Sequence, residues 1–235
     1  MKTKIYRFIF ILLLFPLQWL PAQSRATSTR VISTQGYDII EARGPIDIQL
    51  KKGTEGQIAV TTRENLHPYL KVASDGSRLE IYLKRGLHNK RNIRYTVTIP
   101  FQSLSKISLS GSGVIHTEDP IHEKTLEVKL SGSGDIDLDL ETEKTAIEVS
   151  GSGDINLGGS SKNLDVKISG SARLNSEHME SQNTAIKISG SGSAKVVAQH
   201  SLKAKISGSG NIRFKGNPNQ MNHQVSGSGT ISTLP

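Results

Sequence analysis

The sequence contains no cysteine. It therefore excludes disulfide bonds, thiolate catalysis and a lipid anchor attached to an N-terminal cysteine. Aromatic residues are also scarce, with one tryptophan, five tyrosines and five phenylalanines among 235 residues. This scarcity argues against a sugar-binding site built from stacked aromatic rings. It predicts a core made mainly of isoleucine, leucine and valine.

Long hydrophobic runs are absent except at the N-terminus. There Lys2, Lys4 and Arg7 precede an apolar stretch over 8–20, and the small residues of LPAQS follow it. This order is typical of a secretory signal peptide, and the short, interrupted stretch favours it over the alternative of an uncleaved N-terminal anchor. We predict a signal peptide over 1–22 and export to the periplasm, the outer membrane or the cell exterior.

The chain has no strong excess of one charge sign. Its formal net charge is +8, and three of its basic residues lie in the predicted signal peptide. A mildly basic exported domain is not expected to bind nucleic acid.

What the sequence has in excess is a pattern built on SGSG, which occurs seven times with small variations. The spacing between successive copies is 18 to 21 residues, a regularity that a flexible linker does not need. The first serines of the copies are Ser110, Ser131, Ser150, Ser169, Ser189, Ser207 and Ser226.

Apolar and polar residues alternate on both sides of each copy, as at Leu109 before the first copy and Ile115 after it. Such alternation indicates strands with one buried and one solvated face. In this frame both glycines of a copy point inward and both serines point outward. Coils of about 19 residues, stacked at the strand spacing of ~4.8 Å, predict an all-β parallel solenoid.

A degraded eighth copy, IIEARGPIDIQL, places Arg43 at the position of the first motif serine. We expect the solenoid to begin there, after a short tail over 23–36. Residues 51–103 form an elaborated section, in which QIAVTT, RLEIYL and IRYTVTIP read as strands. We predict one continuous domain over 37–235, with regular repeats over 106–235.

One acidic group is the sharpest candidate for chemistry, because the repeat frame stacks its members on adjacent coils. The favoured interpretation of two carboxylates one strand spacing apart is a solvated face. The alternative is a Ca²⁺ site, and a third interpretation is a hydrolytic pair. The candidate residues are Asp135, Asp137, Asp154 and Asn156.

A basic group surrounds the loop KRGLHNKRN. Charge runs between strands are usually solvated hairpin loops, which is the favoured interpretation. The alternative is a docking site for anionic polysaccharide or lipid headgroups. The interaction candidates are Lys84, Arg85, Lys90, Arg91 and Arg94.

The SGSG copies do not read as catalytic or phosphate-binding loops. A phosphate loop needs a helix after the glycines and a GK[ST] signature, whereas a β segment follows each copy here. A nucleophilic serine needs a base within reach, and no histidine recurs with the repeats. We therefore expect no catalytic residues, no cofactor and no enzyme activity.

Three segments, YDIIEARGPIDIQLKKG, TVTIPFQSLSKISLSGSGVI and the repeated SGSGDI, resemble the head GIN domain family of autotransporter adhesins, common in Bacteroidetes. The resemblance covers about 37–234. It implies a right-handed, pectin-lyase-like parallel β-helix and a role in cell adhesion, with no recognised catalytic residues. We expect no translocator barrel after the last repeat, because no run of alternating barrel-strand segments follows it.

These observations favour a non-enzymatic envelope or surface protein that presents an adhesion or interaction module. Its expected partner is a surface ligand such as a polysaccharide or an envelope component, and its solenoid ends offer a route to a homo-oligomer. The alternative is a polysaccharide-active enzyme or glycan-binding protein of the pectin-lyase type, which rests on fold analogy.

Overall fold

The computed structural model of this protein describes residues 26–84 and 94–234. The predicted signal peptide lies outside these residues. Within them most residues lie in strands, and the single helical element is the 3₁₀ turn Glu64–Tyr69. No helix in the described part is long and apolar enough to cross a membrane.

Seven strands form the N-terminal section before the regular repeats. They are β1 Thr27–Ser33, β2 Ile39–Arg43, β3 Asp47–Lys52, β4 Gln57–Arg63, β5 Leu70–Asp75, β6 Arg78–Leu83 and β7 Thr96–Phe101. The segments QIAVTT, RLEIYL and IRYTVTIP, predicted as strands, correspond to β4, β6 and β7.

Eleven strands form the regular repeats, and three of them, β11 to β13, are 17 or 18 residues long and cover most of a coil each. The strands are β8 Lys106–Gly111, β9 Val114–Thr117, β10 Ile121–Gly132, β11 Asp135–Gly151, β12 Asp154–Gly170, β13 Arg173–Gly190, β14 Ser193–Val197, β15 Ser201–Gly208, β16 Asn211–Lys215, β17 Gln220–Ser226 and β18 Thr230–Thr233.

The coils stack in parallel with the register that the repeat predicts. Ser131 pairs with Ser110 on one side and with Ser150 on the other, and the later copies continue the same column. The degraded copy also fits, because Arg43 pairs with Ser110. The predicted all-β parallel solenoid is therefore confirmed.

The core consists of aliphatic columns that run along the solenoid axis. One column aligns Ile107, Val128, Ile147, Val166 and Ile186, none of which is more than 3% exposed. Burying an aliphatic side chain of this size contributes about 1.5–3 kcal/mol. Because each side chain is covered by its equivalents in the neighbouring coils, the columns stabilise the stack without disulfides or many aromatic rings.

The two glycine positions of an SGSG turn have different environments, as the third copy shows. Gly151 is half-buried with φ of 128°, and a Cβ built on it would lie 2.2 Å from the carbonyl oxygen of Gly132. Gly153 is buried, and its Cβ would lie 2.1 Å from the carbonyl oxygen of Gly134. Both positions therefore permit close backbone approach, and the first also requires a left-handed backbone conformation.

The order of the coils in space differs from their order in the sequence. The first coil, β2 and β3, is enclosed between β6 and β7 on one side and β8 and β9 on the other, all in parallel. The elaborated section thus folds back over the outer side of the first coil. The chain then passes across that coil to begin the regular repeats.

Antiparallel strands cover the N-terminal end of the stack. β4 pairs with β7, β5 pairs with β6, and β1 pairs with β4. β1 lies inside the segment 23–36, for which the sequence predicts a short tail. The C-terminal end is different, because every residue of β17 is exposed.

Candidate binding surface

The repeat frame places the predicted acidic residues together on one outward face. Asp135 pairs with Asp154, and Asp137 pairs with Asn156, on the neighbouring strands β11 and β12. The next coil continues these two columns with Arg173 and with another asparagine. The structure therefore brings together all four residues that the sequence singles out.

A guanidinium group neutralises one of the two stacked carboxylates. The Nε atom of Arg173 donates to Oδ1 of Asp154 at 2.8 Å, and a second nitrogen donates to Oδ2, which makes the pair bidentate. Hydrogen bonds to Asp154 and its negative charge raise the pKa of Arg173 above its usual value. No cluster of three or more potential metal-ligating side chains occurs in the described ranges. The favoured solvated face and its alternative, a Ca²⁺ site, both stay predictions.

The basic loop is only partly described. Lys84 and Arg94 are exposed at its two ends. Their backbones are anchored, since Lys84 N–H donates to Tyr69 O at 2.9 Å and Thr62 Oγ1 donates to Arg94 O at 2.8 Å. Arg85, Lys90 and Arg91 lie outside the described residues, so the favoured solvated loop and its alternative, a docking site, both stay predictions.

A serine, a histidine and a glutamate meet where β1 crosses the 3₁₀ turn. Ser28 Oγ lies 2.9 Å from Nε2 of His67 and donates to the carboxylate of Glu64. The hydrogen bonds from Ser28 and Arg30 hold the pKa of Glu64 below its usual value. In a catalytic triad the acid orients the second nitrogen of the histidine, whereas here it contacts the serine. The arrangement ties β1 to the turn.

A groove that sequence reasoning did not single out runs along the face before the SGSG turns. Its volume is about 830 Å³, and six neighbouring strands line it: β10, β11, β12, β13, β15 and β17. At the strand spacing of ~4.8 Å, six strands span about 24 Å along the solenoid axis. The groove is therefore elongated.

Lysines dominate one part of this groove. Lys167, Lys187 and Lys205 occupy the same outward position in three successive coils and pair in register, and Lys203 lies two residues before Lys205 on the same face. We call these four residues the lysine ladder. The signal was present in the sequence, because all four stand two or four residues before a motif serine. It becomes visible only when the coils are aligned and their charges compared.

A parallel β-solenoid whose outward faces carry stacked charged columns belongs to the class of elongated repeat proteins. The chain belongs to the family described as "Putative auto-transporter adhesin, head GIN domain", which matches residues 36–218. The predicted resemblance to this family is confirmed.

Solved structures from Bacteroidetes share the fold. A "putative adhesin" from Bacteroides fragilis is 22% identical with a TM-score of 0.80, covering 90% of this chain and 99% of that chain. A "putative adhesin" from Parabacteroides merdae is 26% identical with a TM-score of 0.69, covering 89% and 96%. A "Putative lipid binding protein" from Parabacteroides distasonis is 24% identical with a TM-score of 0.71, covering 89% and 97%. No curated protein matches the chain.

Proposed function

We propose that this protein is an exported, non-catalytic envelope or surface protein that acts as an adhesion or interaction module. The observation that carries the proposal is the outward face of the solenoid, where parallel strands hold rows of charged side chains in fixed register over several coils. Such a surface suits binding to an extended partner. The family description and the neighbours described as adhesins support the same role.

The N-terminal sequence supports export. A basic segment, an apolar segment and a small-residue cleavage region occur in the order that secretion requires. The compartment is the decisive point, because an adhesion module must be reachable from outside the cell.

Protease accessibility on intact cells tests surface display. A specific protease site is inserted at the β5–β6 turn, between Asp75 and Gly76, where both residues are exposed and a Cβ on Gly76 would meet nothing within 4 Å. Surface display predicts cleavage on intact cells. A variant with a scrambled insert at the same turn is the matched control and stays whole. Cleavage only after the outer membrane is opened would overturn display at the surface.

The competing proposal of a polysaccharide-active enzyme makes a separate prediction. A panel of neutral and acidic glycans incubated with the pure protein should show no cleavage products. Turnover that Asp135→Ala abolishes would replace the proposal of a binding module with that of an enzyme.

A further inference from the structure

The charges around the lysine ladder depart from the pattern in the rest of its column. In the earlier coils the column alternates, because Lys129 pairs in register with Glu148, which pairs with Lys167. From Lys167 onward three lysines follow one another at the strand spacing of ~4.8 Å. Like charges directly opposite each other in a sheet are destabilising. The stability of the sheet therefore does not explain why three lysines occupy this column.

The two carboxylates nearest the ladder are bound to other lysines. Oε2 of Glu148 lies 3.2 Å from Nζ of Lys129, and Oδ2 of Asp165 lies 3.8 Å from Nζ of Lys144. No ion pair involves the four ladder lysines within the described ranges. The ladder therefore has positive charge without a counterion from residues 26–84 and 94–234.

The groove beside the ladder has room and a mixed lining. Ala146 and Ala185 are half-buried in a column where other coils place Glu127, Asp165 and Lys203, so these two short side chains leave a depression. The volume of about 830 Å³ falls in the range of about 300–1,000 Å³ typical of ligand sites. Apolar surface beside ammonium groups suits a ligand with C–H faces and regular anionic groups.

We propose that this groove binds linear acidic polysaccharides, with the lysine ladder contacting their carboxylate or sulfate groups. This inference rests on the proposed function as a binding module and names its ligand class. The elongated shape suits a polymer, and the ladder's spacing along the axis matches a ligand whose charge repeats along its length.

Two other anionic partners fit the groove less well. Single-stranded nucleic acid is bound through bases that stack on aromatic side chains, and none of the residues that line the groove is aromatic. A membrane surface is bound by protruding apolar side chains beside basic ones, whereas this site is concave. Both partners are included as outcomes of the test.

The test measures binding of the folded mature chain to polygalacturonate oligosaccharides by calorimetry, with neutral dextran as the uncharged comparison. Wild-type protein should bind the uronate polymer and not dextran. Binding should vanish at about 1 M salt, where the Debye length is about 3 Å. Absence of binding to the uronate polymer, or equal binding to dextran, would overturn the inference.

A triple ladder variant, Lys167→Gln with Lys187→Gln and Lys205→Gln, should bind at least about tenfold more weakly because three cationic contacts are lost. The control removes the same charge from three exposed lysines outside the groove that form no ion pair with any described residue, and it should keep the wild-type affinity. It combines Lys124→Gln, Lys162→Gln and Lys215→Gln. Equal losses in the two variants would show non-specific charge attraction and overturn the inference.

Thermal unfolding gives a second readout that is independent of the ligand. Replacing Lys187 with glutamine removes its repulsion from Lys167 and Lys205, so the melting temperature of the protein should rise by about 1–3 °C at low salt. If the triple variant does not fold, glycan binding is measured instead with the single variants Lys187→Glu and Lys187→Arg. The first should weaken binding and the second should retain it. Equal binding by both would overturn the inference.

The remaining comparisons separate the ligand classes and the two proposals. Ladder-dependent binding that is tighter for oligothymidylate, or for vesicles of phosphatidylglycerol and phosphatidylcholine, would overturn the assignment to polysaccharide. Surface cleavage without glycan binding would leave the proposed module standing and remove this inference. Glycan binding by a protein that is not reached on intact cells would keep this inference and the binding module, and would overturn only display at the surface.

Discussion

The two glycines of an SGSG turn are not equivalent. At the second position the third copy has Gly153, whereas the fourth copy has Ala172, which is fully buried. That position therefore accepts a methyl group after a local shift. The first position combines close backbone contact with φ above 100° in every copy, and glycine is kept there throughout. A residue with a Cβ rarely adopts this conformation.

We predict that Gly151→Ala lowers the free energy of unfolding by about 2–4 kcal/mol, because it adds backbone strain to a steric clash with Gly132 O. Gly158→Ala on the next strand, β12, is the matched control, since its Cβ would meet only the side chain of Asp139, whose nearest atom, Oδ1, lies at 3.3 Å. Urea denaturation measures both variants. Equal effects would show that the turn does not require glycine.

The burial of one tyrosine makes the free energy of unfolding depend on pH in the alkaline range. The hydroxyl of Tyr95 is fully buried and donates to the carbonyl oxygen of Leu66 at 2.8 Å. Burial raises the pKa of Tyr95 to about 12. Since the pKa of an unfolded tyrosine is about 10, the neutral phenol is favoured by folding. Its contribution is complete below about pH 10 and is lost as the pH rises toward 12.

We therefore predict that the free energy of unfolding falls between about pH 10 and pH 12, and that Tyr95→Phe makes this fall shallower. At neutral pH the same variant should lose about 1 kcal/mol through the missing hydrogen bond. Denaturant titrations across this pH range provide the measurement. An unchanged slope in Tyr95→Phe would contradict the assignment of the pH dependence to this phenol.

At the scale of the strand, register converts a repeated position into a column of side chains. The column of Asp135 and Asp154 continues with Arg173, and the column of Glu148 continues with the lysine ladder. The first column is locally neutralised by an ion pair, while the second keeps its charge. Two outward columns of the same stack thus differ in what they can bind.

We predict that calorimetric titration with Ca²⁺ gives no heat with wild-type protein, because Arg173 occupies the carboxylate of Asp154. Arg173→Gln frees that carboxylate beside Asp135, so weak binding should appear and should vanish when Asp135→Asn is added. Heat with wild-type protein that Asp135→Asn removes would instead establish the Ca²⁺ site of the sequence analysis.

At the scale of the whole molecule the two ends of the solenoid differ. Antiparallel strands cover the N-terminal end, whereas β17 and β18 leave one edge unpaired within the described chain. On the last coil Met221 is 52% exposed and Val225 is 40% exposed. An uncovered edge beside apolar side chains is a template for pairing with another chain.

We predict reversible self-association through this C-terminal coil, seen as a concentration-dependent sedimentation coefficient. Val225→Lys should favour the monomer because it places a charge on the open end. Val31→Lys, on the exposed strand β1 at the other end, is the matched control and should behave as wild type. Dissociation by Val31→Lys alone, or a wild-type monomer at every concentration, would contradict this prediction.

Much of this fold could be predicted because its rules are local and repeat. Alternation fixes which residues face inward, and the regular spacing fixes which residues stack, so the pairing of Ser110 with Ser131 follows from counting. The acidic column was found in the same way. The lysine ladder was not, because its significance depends on where the neighbouring acids Glu148 and Asp165 direct their carboxylates.

The sequence by itself determined the coil, its length, its aliphatic interior and the position of its tight turns. Only the tertiary structure decided that β2 and β3 lie between β6 and β7 on one side and β8 and β9 on the other. The physical reason is that every strand has two edges, and local pattern does not specify which distant strand covers each one. The same holds for ion pairs such as Arg173 with Asp154, because side-chain partners are chosen only after the coils have stacked.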